Sequence, residues 1–254
     1  MSIRFGFWNW NRKLSMNEPA HRPTPSDAAQ GDAALPRAGD RPAWRAVCRQ
    51  QAQAAAEAEA RAKWRVADDD MIPFNYRWEH VQHVVGLARW LATETGADVE
   101  IVEAAAWLHD VRKAEPEHAL RGAEAAQEIL AGTDFPPHKV DAVAGAIRQH
   151  EGLYRDESTP LAPLEAGVLW DADKLSKIGV QALIYALSTR YVRGQTLDER
   201  RSRNQRFLDD VLVRTVASMN TAPAQRLAQE RLRQNQLIMD LWAADEALVR
   251  EHLP

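Results

Sequence analysis

The apolar run Val102-Glu103-Ala104-Ala105-Ala106-Trp107-Leu108 ends on His109-Asp110, an imidazole and a carboxylate at the inner end of a buried segment. The pair offers two metal donors from one stretch of backbone, and a carboxylate held in such apolar surroundings is costly without a cation. A chain built around this pair has to wrap further elements about it. The periodicity beyond Pro73 says that those elements are helices. From Trp78 to Thr95 the residues Val81, Val84, Val85, Ala88 and Leu91 recur at helical spacing, and Gly96 stops the segment. Asp98 caps the next helix, which ends near Asp110. Glu117 to Ala131 forms a further helix ended by Gly132, and Phe135-Pro136-Pro137 opens another with Val140, Val143 and Ile147 on one face.

A loop is expected from Gly152 to Pro163, then a helix from Leu164 to about Val192, broken near Gly179. The charged stretch Arg193 to Arg206 reads as a separator before Phe207 to Met219. Thr221 or Ala222-Pro223 starts a last long helix reaching about Leu248. No run alternates long enough for a strand and no repeat is apparent, so the expected fold is all-α.

The N-terminal part differs in character. Pro19, Pro23, Pro25, Pro36 and Pro42, set among Ser, Asp, Gly and Ala without an apolar period, make residues 1–43 a disordered leader. Residues 44–70 hold an Ala/Gln/Glu-rich helix, expected to be only partly docked, with Asp68-Asp69-Asp70 as a solvated turn. The helical domain proper is then 71–250.

A formal charge of −4 gives no broad basic field, so general nucleic-acid binding is not implied. Cys48 is the only cysteine, which rules out an intrachain disulfide and suits a cytoplasmic protein. No run approaches the roughly 18 apolar residues of a membrane span, and the opening residues lack the apolar core of a secretory signal. The sequence leaves monomer and homodimer both open.

His80 shares a helical face with Val84, Leu87 and Leu91, and His109 with Val102 and Ala106, so both imidazoles point inward. One inward histidine is usually a satisfied core residue; several with acidic neighbours suggest a metal site. His83 lies close enough to His80 to reach the same place. Helical phase favours Asp171 over Asp173, since Asp171 aligns with Leu164, Val168, Leu175 and Ile178. His150 continues the stripe of Val140, Val143 and Ile147, while His118 opens its helix. The basic residues Arg112, Lys113, Arg148, Lys174 and Lys177 cluster around these positions in sequence and suit a phosphate.

The ordered set of Trp78-Glu79-His80-Val81, His109-Asp110 and Ala172-Asp173-Lys174-Leu175 resembles the HD superfamily of metal-dependent phosphohydrolases, in particular small stand-alone bacterial members. The likeness spans roughly Pro73 to Leu248 and includes His118-Ala119-Leu120-Arg121-Gly122-Ala123 and Ala146-Ile147-Arg148-Gln149-His150. It implies an HD-type helical bundle whose metal ligands are His80, His109, Asp110 and Asp173; its ligand Asp precedes a basic residue and Leu, which selects Asp173 and leaves Asp171 to orient an imidazole from outside. The same resemblance selects His80 over His83. Some branches use extra histidines for a second metal or a phosphate, the role it suggests for His118 and His150.

The chain departs from several branches. Lys113-Ala114 stands where alarmone hydrolases carry Glu-Asp, and Lys113 where 5′-deoxynucleotidases carry a catalytic Glu. Gln149-His150-Glu151-Gly152-Leu153-Tyr154 lacks the double His and Gly-Tyr-Pro of cyclic-dinucleotide phosphodiesterases. The expected activity is hydrolysis of a phosphate ester or anhydride in a nucleotide, with Mn, Fe, Co, Ni or Zn as the divalent metal. Asp110 and Lys113 are the expected catalytic groups, and Lys113, His118, Arg148, His150, Lys174 and Lys177 the expected substrate contacts. The rival readings are a di-iron oxygenase using His118 and His150, and a non-catalytic, metal-stabilised module that binds a nucleotide or partner.

Overall fold

The computed structural model describes residues 41–155 and 160–253, all helix and connection with no strand among them. The leader expected over residues 1–43 lies outside the described residues up to residue 40. The first helix, α1 (Trp44–Trp64), buries Trp44, Cys48, Ala52, Ala56 and Ala60, one side chain every fourth residue. That stripe of small residues lets α1 lie close against α2 (Tyr76–Thr95), α3 (Val99–Leu108) and α4 (His118–Ala131). Trp44 anchors its start: the ring meets Phe135 edge-on at 5.1 Å, and its backbone N–H donates to Asp134 Oδ1 at 2.7 Å.

Helix α2 starts where Asn75 caps Trp78 N–H and stops at Gly96, whose positive φ of 77° suits glycine. Asp98 caps α3 by accepting from the N–H groups of Glu100 and Ile101. Helix α4 crosses the end of α3 closely: a Cβ on Gly122 would sit 3.2 Å from the His109 carbonyl oxygen. A 3₁₀ turn at Pro137–Lys139 leads into α5 (Val140–Arg148), which packs on α4, α3 and α6 (Leu164–Leu175). Every residue of α6 from Ala166 to Leu175 is buried. This helix is the central post of the fold.

Beyond α6 the backbone turns at Gly179 (φ 105°), against the aliphatic part of Arg231, into α7 (Val180–Ser188). The charged stretch after Arg193, expected to be a separator, instead contains helix α8 (Leu197–Phe207). It buries none of its own residues, which is why no apolar stripe announced it. It is held by a capping box between Thr196 and Glu199, and by Arg201 pairing with Glu246 at 2.7 Å. A π-helical turn at Leu208–Leu212 runs into α9 (Val213–Ala217), and α10 (Ala222–Glu251) packs back over α6, α2, α7 and α8. No helix of the described residues is long and apolar enough to cross a membrane.

Because α1 is fastened through Trp44, Trp44→Ala is expected to lower unfolding free energy by about 3–5 kcal/mol, the usual cost of emptying a buried tryptophan site. Urea denaturation followed by circular dichroism checks this. A loss below about 1 kcal/mol would mean that α1 contributes little to the folded unit.

Candidate metal centre

Four elements aim polar groups at one buried point. His80 lies on the inner face of α2, His109 and Asp110 follow α3, His150 follows α5, and Asp173 lies on α6; all are 5 % exposed or less. His80 Nε2 is 3.4 Å from His109 Nε2, 3.5 Å from Asp110 Oδ2 and 3.2 Å from Asp173 Oδ1. His109 Nε2 is 3.4 Å from Asp110 Oδ2. On the other side of the same carboxylate, His150 Nε2 approaches Asp110 Oδ1 at 3.6 Å. The donors form two groups that share Asp110: His80, His109 and Asp110, then Asp110, His118 and His150.

The hydrogen bonds on the outer side of each ring set its tautomer. His109 Nδ1 lies 2.7 Å from the Ala106 carbonyl oxygen and His150 Nδ1 lies 2.6 Å from that of Ile147. A carbonyl only accepts, so both Nδ1 atoms carry the proton. Ser176 Oγ donates its one proton to the Asp173 carbonyl at 2.6 Å, so His80 Nδ1 must donate to Ser176 Oγ at 3.0 Å. With the Nδ1 proton so placed, Nε2 is the atom each ring turns toward Asp110, and in the neutral tautomer it carries a bare lone pair. Nothing on the protein answers them: the His80 and His109 lone pairs face each other at 3.4 Å, and His150 Nε2 and Asp110 Oδ1 make no hydrogen bond. Arg77 donates to Asp110 Oδ2, but Oδ1 and the facing lone pairs are left without a donor, an arrangement that a divalent cation would satisfy. The residues fit a metal.

Electrostatics keeps the carboxylates ionised. Burial would push Asp110 up, but the Arg77 guanidinium beside it helps to hold its carboxyl well below the ordinary range. Burial likewise opposes ionisation of Asp173, and Lys174 and Lys177 outweigh it, holding Asp173 well below the ordinary range. Burial also pulls His150 and His118 down, for His118 with help from Lys113, which favours the neutral rings that can donate lone pairs.

The predicted residues do not all converge. Lys113 does: its Nζ lies 3.2 Å from Asp110 Oδ1 and donates to His118 Nε2 at 2.9 Å, with a third of the side chain exposed. It lines a cleft of about 420 Å³ between α1 and residues 110–115. Lys177 also reaches the cluster, pairing with Asp173 Oδ1 from a position open to solvent. Lys174 differs from expectation. It is 1 % exposed, bound to Asp173 Oδ2 and to the His150 carbonyl at 2.7 Å, over the face of Trp170, so it neutralises Asp173 from within and offers no face to a substrate. Arg148 is exposed at the end of α5, turned outward while Ile147 and His150 turn in, and makes no hydrogen bond or ion pair with the cluster among the described residues. His83 stands outside both donor groups with its Nδ1 buried and unpartnered; burial, then Arg231, lower it to about 4. Asp171 orients no imidazole. Its carboxylate accepts from the backbone and side chains of Asn220 and Thr221 at 2.7–2.9 Å and pins the start of α10.

Two residues of the site escaped the sequence reading. Arg77, 8 % exposed, pairs with Asp110 Oδ2 through Nη1 and holds Glu59 of α1 through Nε at 2.8 Å and Nη2 at 3.2 Å. Arg77 precedes His80 by one helical turn, so its inward register was visible, but Glu59 is fixed only by tertiary packing.

Residues 77–178 match the HD domain family. Over those residues the chain is similar to the HD domain. It is 29% identical to the YpgQ protein of Bacillus subtilis over 160 residues, 61% of this chain and 76% of that one. The crystal structure of Bacillus subtilis YpgQ in complex with ADP superposes with a TM-score of 0.56 at 23% identity, covering 78% of this chain and 97% of that one. An HD-superfamily hydrolase from Bacillus thuringiensis superposes with a TM-score of 0.55 at 19% identity, covering 79% and 98%. The chain thus shares the fold of these proteins. Glu59 lies outside the matched HD-domain residues, so in this chain the preceding helix α1 reaches the centre of the domain through Arg77.

Arg77→Ala leaves Glu59 and Asp110 buried beside each other without their common cation. The expected cost is about 3–5 kcal/mol, seen as a fall in Tm on the order of 10 °C. A Tm within about 2 °C of the parent would contradict the ion-pair chain.

Proposed function

We propose that this protein is a metal-dependent phosphohydrolase that cleaves a phosphate ester or anhydride in a nucleotide. The observation that carries the proposal is the convergence of bare Nε2 atoms from His80, His109 and His150 on Asp110, whose Oδ1 is left without a hydrogen bond. His80, His109 and Asp110 would hold the cation, with Asp173 completing the set as Lys177 releases its Oδ1. Mixed imidazole and carboxylate donors suit Mn, Fe, Co, Ni or Zn. Such an ion, when bound, acidifies a water and draws charge from phosphorus.

The protein's own groups account for the rest. Asp110 Oδ1 is the free acceptor that can take a hydrogen bond from the attacking water and orient it. Lys113 is the partly exposed cation nearest that oxygen, and it can offset charge on the leaving phosphate oxygens. Lys177, partly exposed and paired with Asp173 Oδ1, would be released to a phosphate as Asp173 turns to the metal. His150 and His118 would meet a phosphate oxygen or a second cation. That YpgQ was crystallised with ADP supports a nucleotide as the phosphorylated ligand here.

The second donor group, Asp110 with His118 and His150, also favours another reading: a di-iron oxygenase in which both groups hold iron. Metal analysis separates the two. The oxygenase needs two irons per chain and consumes oxygen; the phosphohydrolase works with Mn and without oxygen.

With Mn present, the purified chain is expected to release phosphate or pyrophosphate from at least one member of a panel of nucleotides and generic phosphodiesters. Chelation should abolish this and Mn restore it. Asp110→Asn, which keeps the side-chain volume, should lower the rate by about three orders of magnitude, the size of a lost electrostatic group at a reacting centre, with helix content unchanged. Full activity of that variant at equal metal loading would refute the assignment. Binding of nucleotides without turnover of any of them would support a non-catalytic module instead.

A further inference from the structure

A second cavity, of about 560 Å³, lies beside the cluster, and Lys113 does not line it. Its floor is Tyr76, Ser176 and Lys177. Tyr76 is stacked on His80 with ring centroids 5.8 Å apart, Ser176 holds His80 Nδ1, and Lys177 holds Asp173. The cavity therefore abuts the metal centre through these three side chains, while none of His80, His109, Asp110, His150 and Asp173 lines it. Its far wall is built by segments past residue 178, outside the matched HD domain, including Ala186, Tyr191, Arg206 and Phe207.

The wall combines two chemistries. Tyr191 and Phe207 present 62 % and 37 % of their surface to solvent at the cavity, with the Lys63 ammonium 5.9 Å from the Tyr191 ring centroid. Arg203 and Arg206, exposed beside them, make no hydrogen bond or ion pair among the described residues. Aromatic faces suit a flat heterocycle, and unpaired guanidinium groups suit an anionic chain. An inorganic polyphosphate would leave the rings unused, and an acyl chain would leave the cations unused. A nucleotide uses both, and the volume falls within the usual range for a small-molecule site.

We propose that this cavity is the nucleoside subsite: the base lies against Phe207 and Tyr191, and the phosphates pass over Lys177 toward Asp110. The proposal rests on the phosphohydrolase reading for the direction of the phosphates, and it assigns recognition of the nucleoside to the chain beyond the HD domain. Phosphates anchored at the metal centre would be common to all substrates, while the walls of this cavity would select among bases.

The test uses the Mn-loaded full chain, titrated calorimetrically with ADP and, separately, with inorganic pyrophosphate. The parent should bind ADP more tightly than pyrophosphate. Phe207→Ala should reduce the ratio of ADP to pyrophosphate affinity on the order of ten-fold, as loss of one base-stacking ring does. Ala186→Trp, which fills the cavity from α7, should reduce it at least as much. Circular dichroism confirms that both variants fold. An unchanged ratio in both folded variants, or a parent that binds ADP no better than pyrophosphate, overturns the subsite. Binding is read without turnover, so a chain that binds ADP in this way but hydrolyses nothing would count against the hydrolase reading and leave the subsite standing.

Discussion

The Asp110 carboxylate is the constraint around which the structure is organised. It is buried at the end of α3, and its two oxygens face imidazoles on opposite sides: His80 and His109 toward Oδ2, His150 toward Oδ1. A charge in that position can persist only if cations surround it. Arg77 supplies one from α2 and Lys113 another from the following turn, yet Oδ1 is still without a hydrogen bond. The helices that supply these groups are held by a dry core, with α6 buried along nearly its whole length. Packing fixes the donors where hydrogen bonds alone would let them separate.

The centre is also tied to parts of the chain beyond the HD domain. Glu59 on α1 balances Arg77, and Lys63 one turn on pairs with Glu59 in turn. On the other flank Lys177 and Ser176 pass from the cluster into the larger cavity, whose outer wall is made by the segments after α6. The residues matched to the HD domain supply the donors; the flanking helices set their charge balance and the shape of what lies next to them.

Much of this was legible in the sequence. The register of Val81, Val84, Ala88 and Leu91 placed α2 and turned His80 inward, and the caps at Asp98 and Gly96 bounded their helices correctly. Helical phase favoured Asp171, but α6 is buried on all sides and both carboxylates are inside; they differ only in what they meet, Asn220 and Thr221 in one case and His80 in the other. Adjacency in sequence misled for the basic residues. Lys174 follows Asp173 directly and is sealed in with it, and Arg148 precedes His150 by two positions and faces solvent. Helix α8 was hidden because it buries nothing, although its Thr196 and Glu199 capping pair was there to be read. The Glu59–Arg77 pair joins two helices and carries no local signature, apart from a charged residue in an inward register that required a partner.

The most direct measurement is the tautomeric state of the three buried rings, by long-range ¹H–¹⁵N correlation NMR on ¹⁵N-histidine-labelled protein, first stripped of metal and then titrated with Zn²⁺ as a diamagnetic probe. His80, His109 and His150 are all expected to carry the proton on Nδ1, and the Nε2 resonances of His80 and His109 to shift together as one equivalent of Zn²⁺ binds. Protons on Nε2 of His80 and His109, or Nε2 resonances that ignore the metal, would contradict the metal-centre assignment.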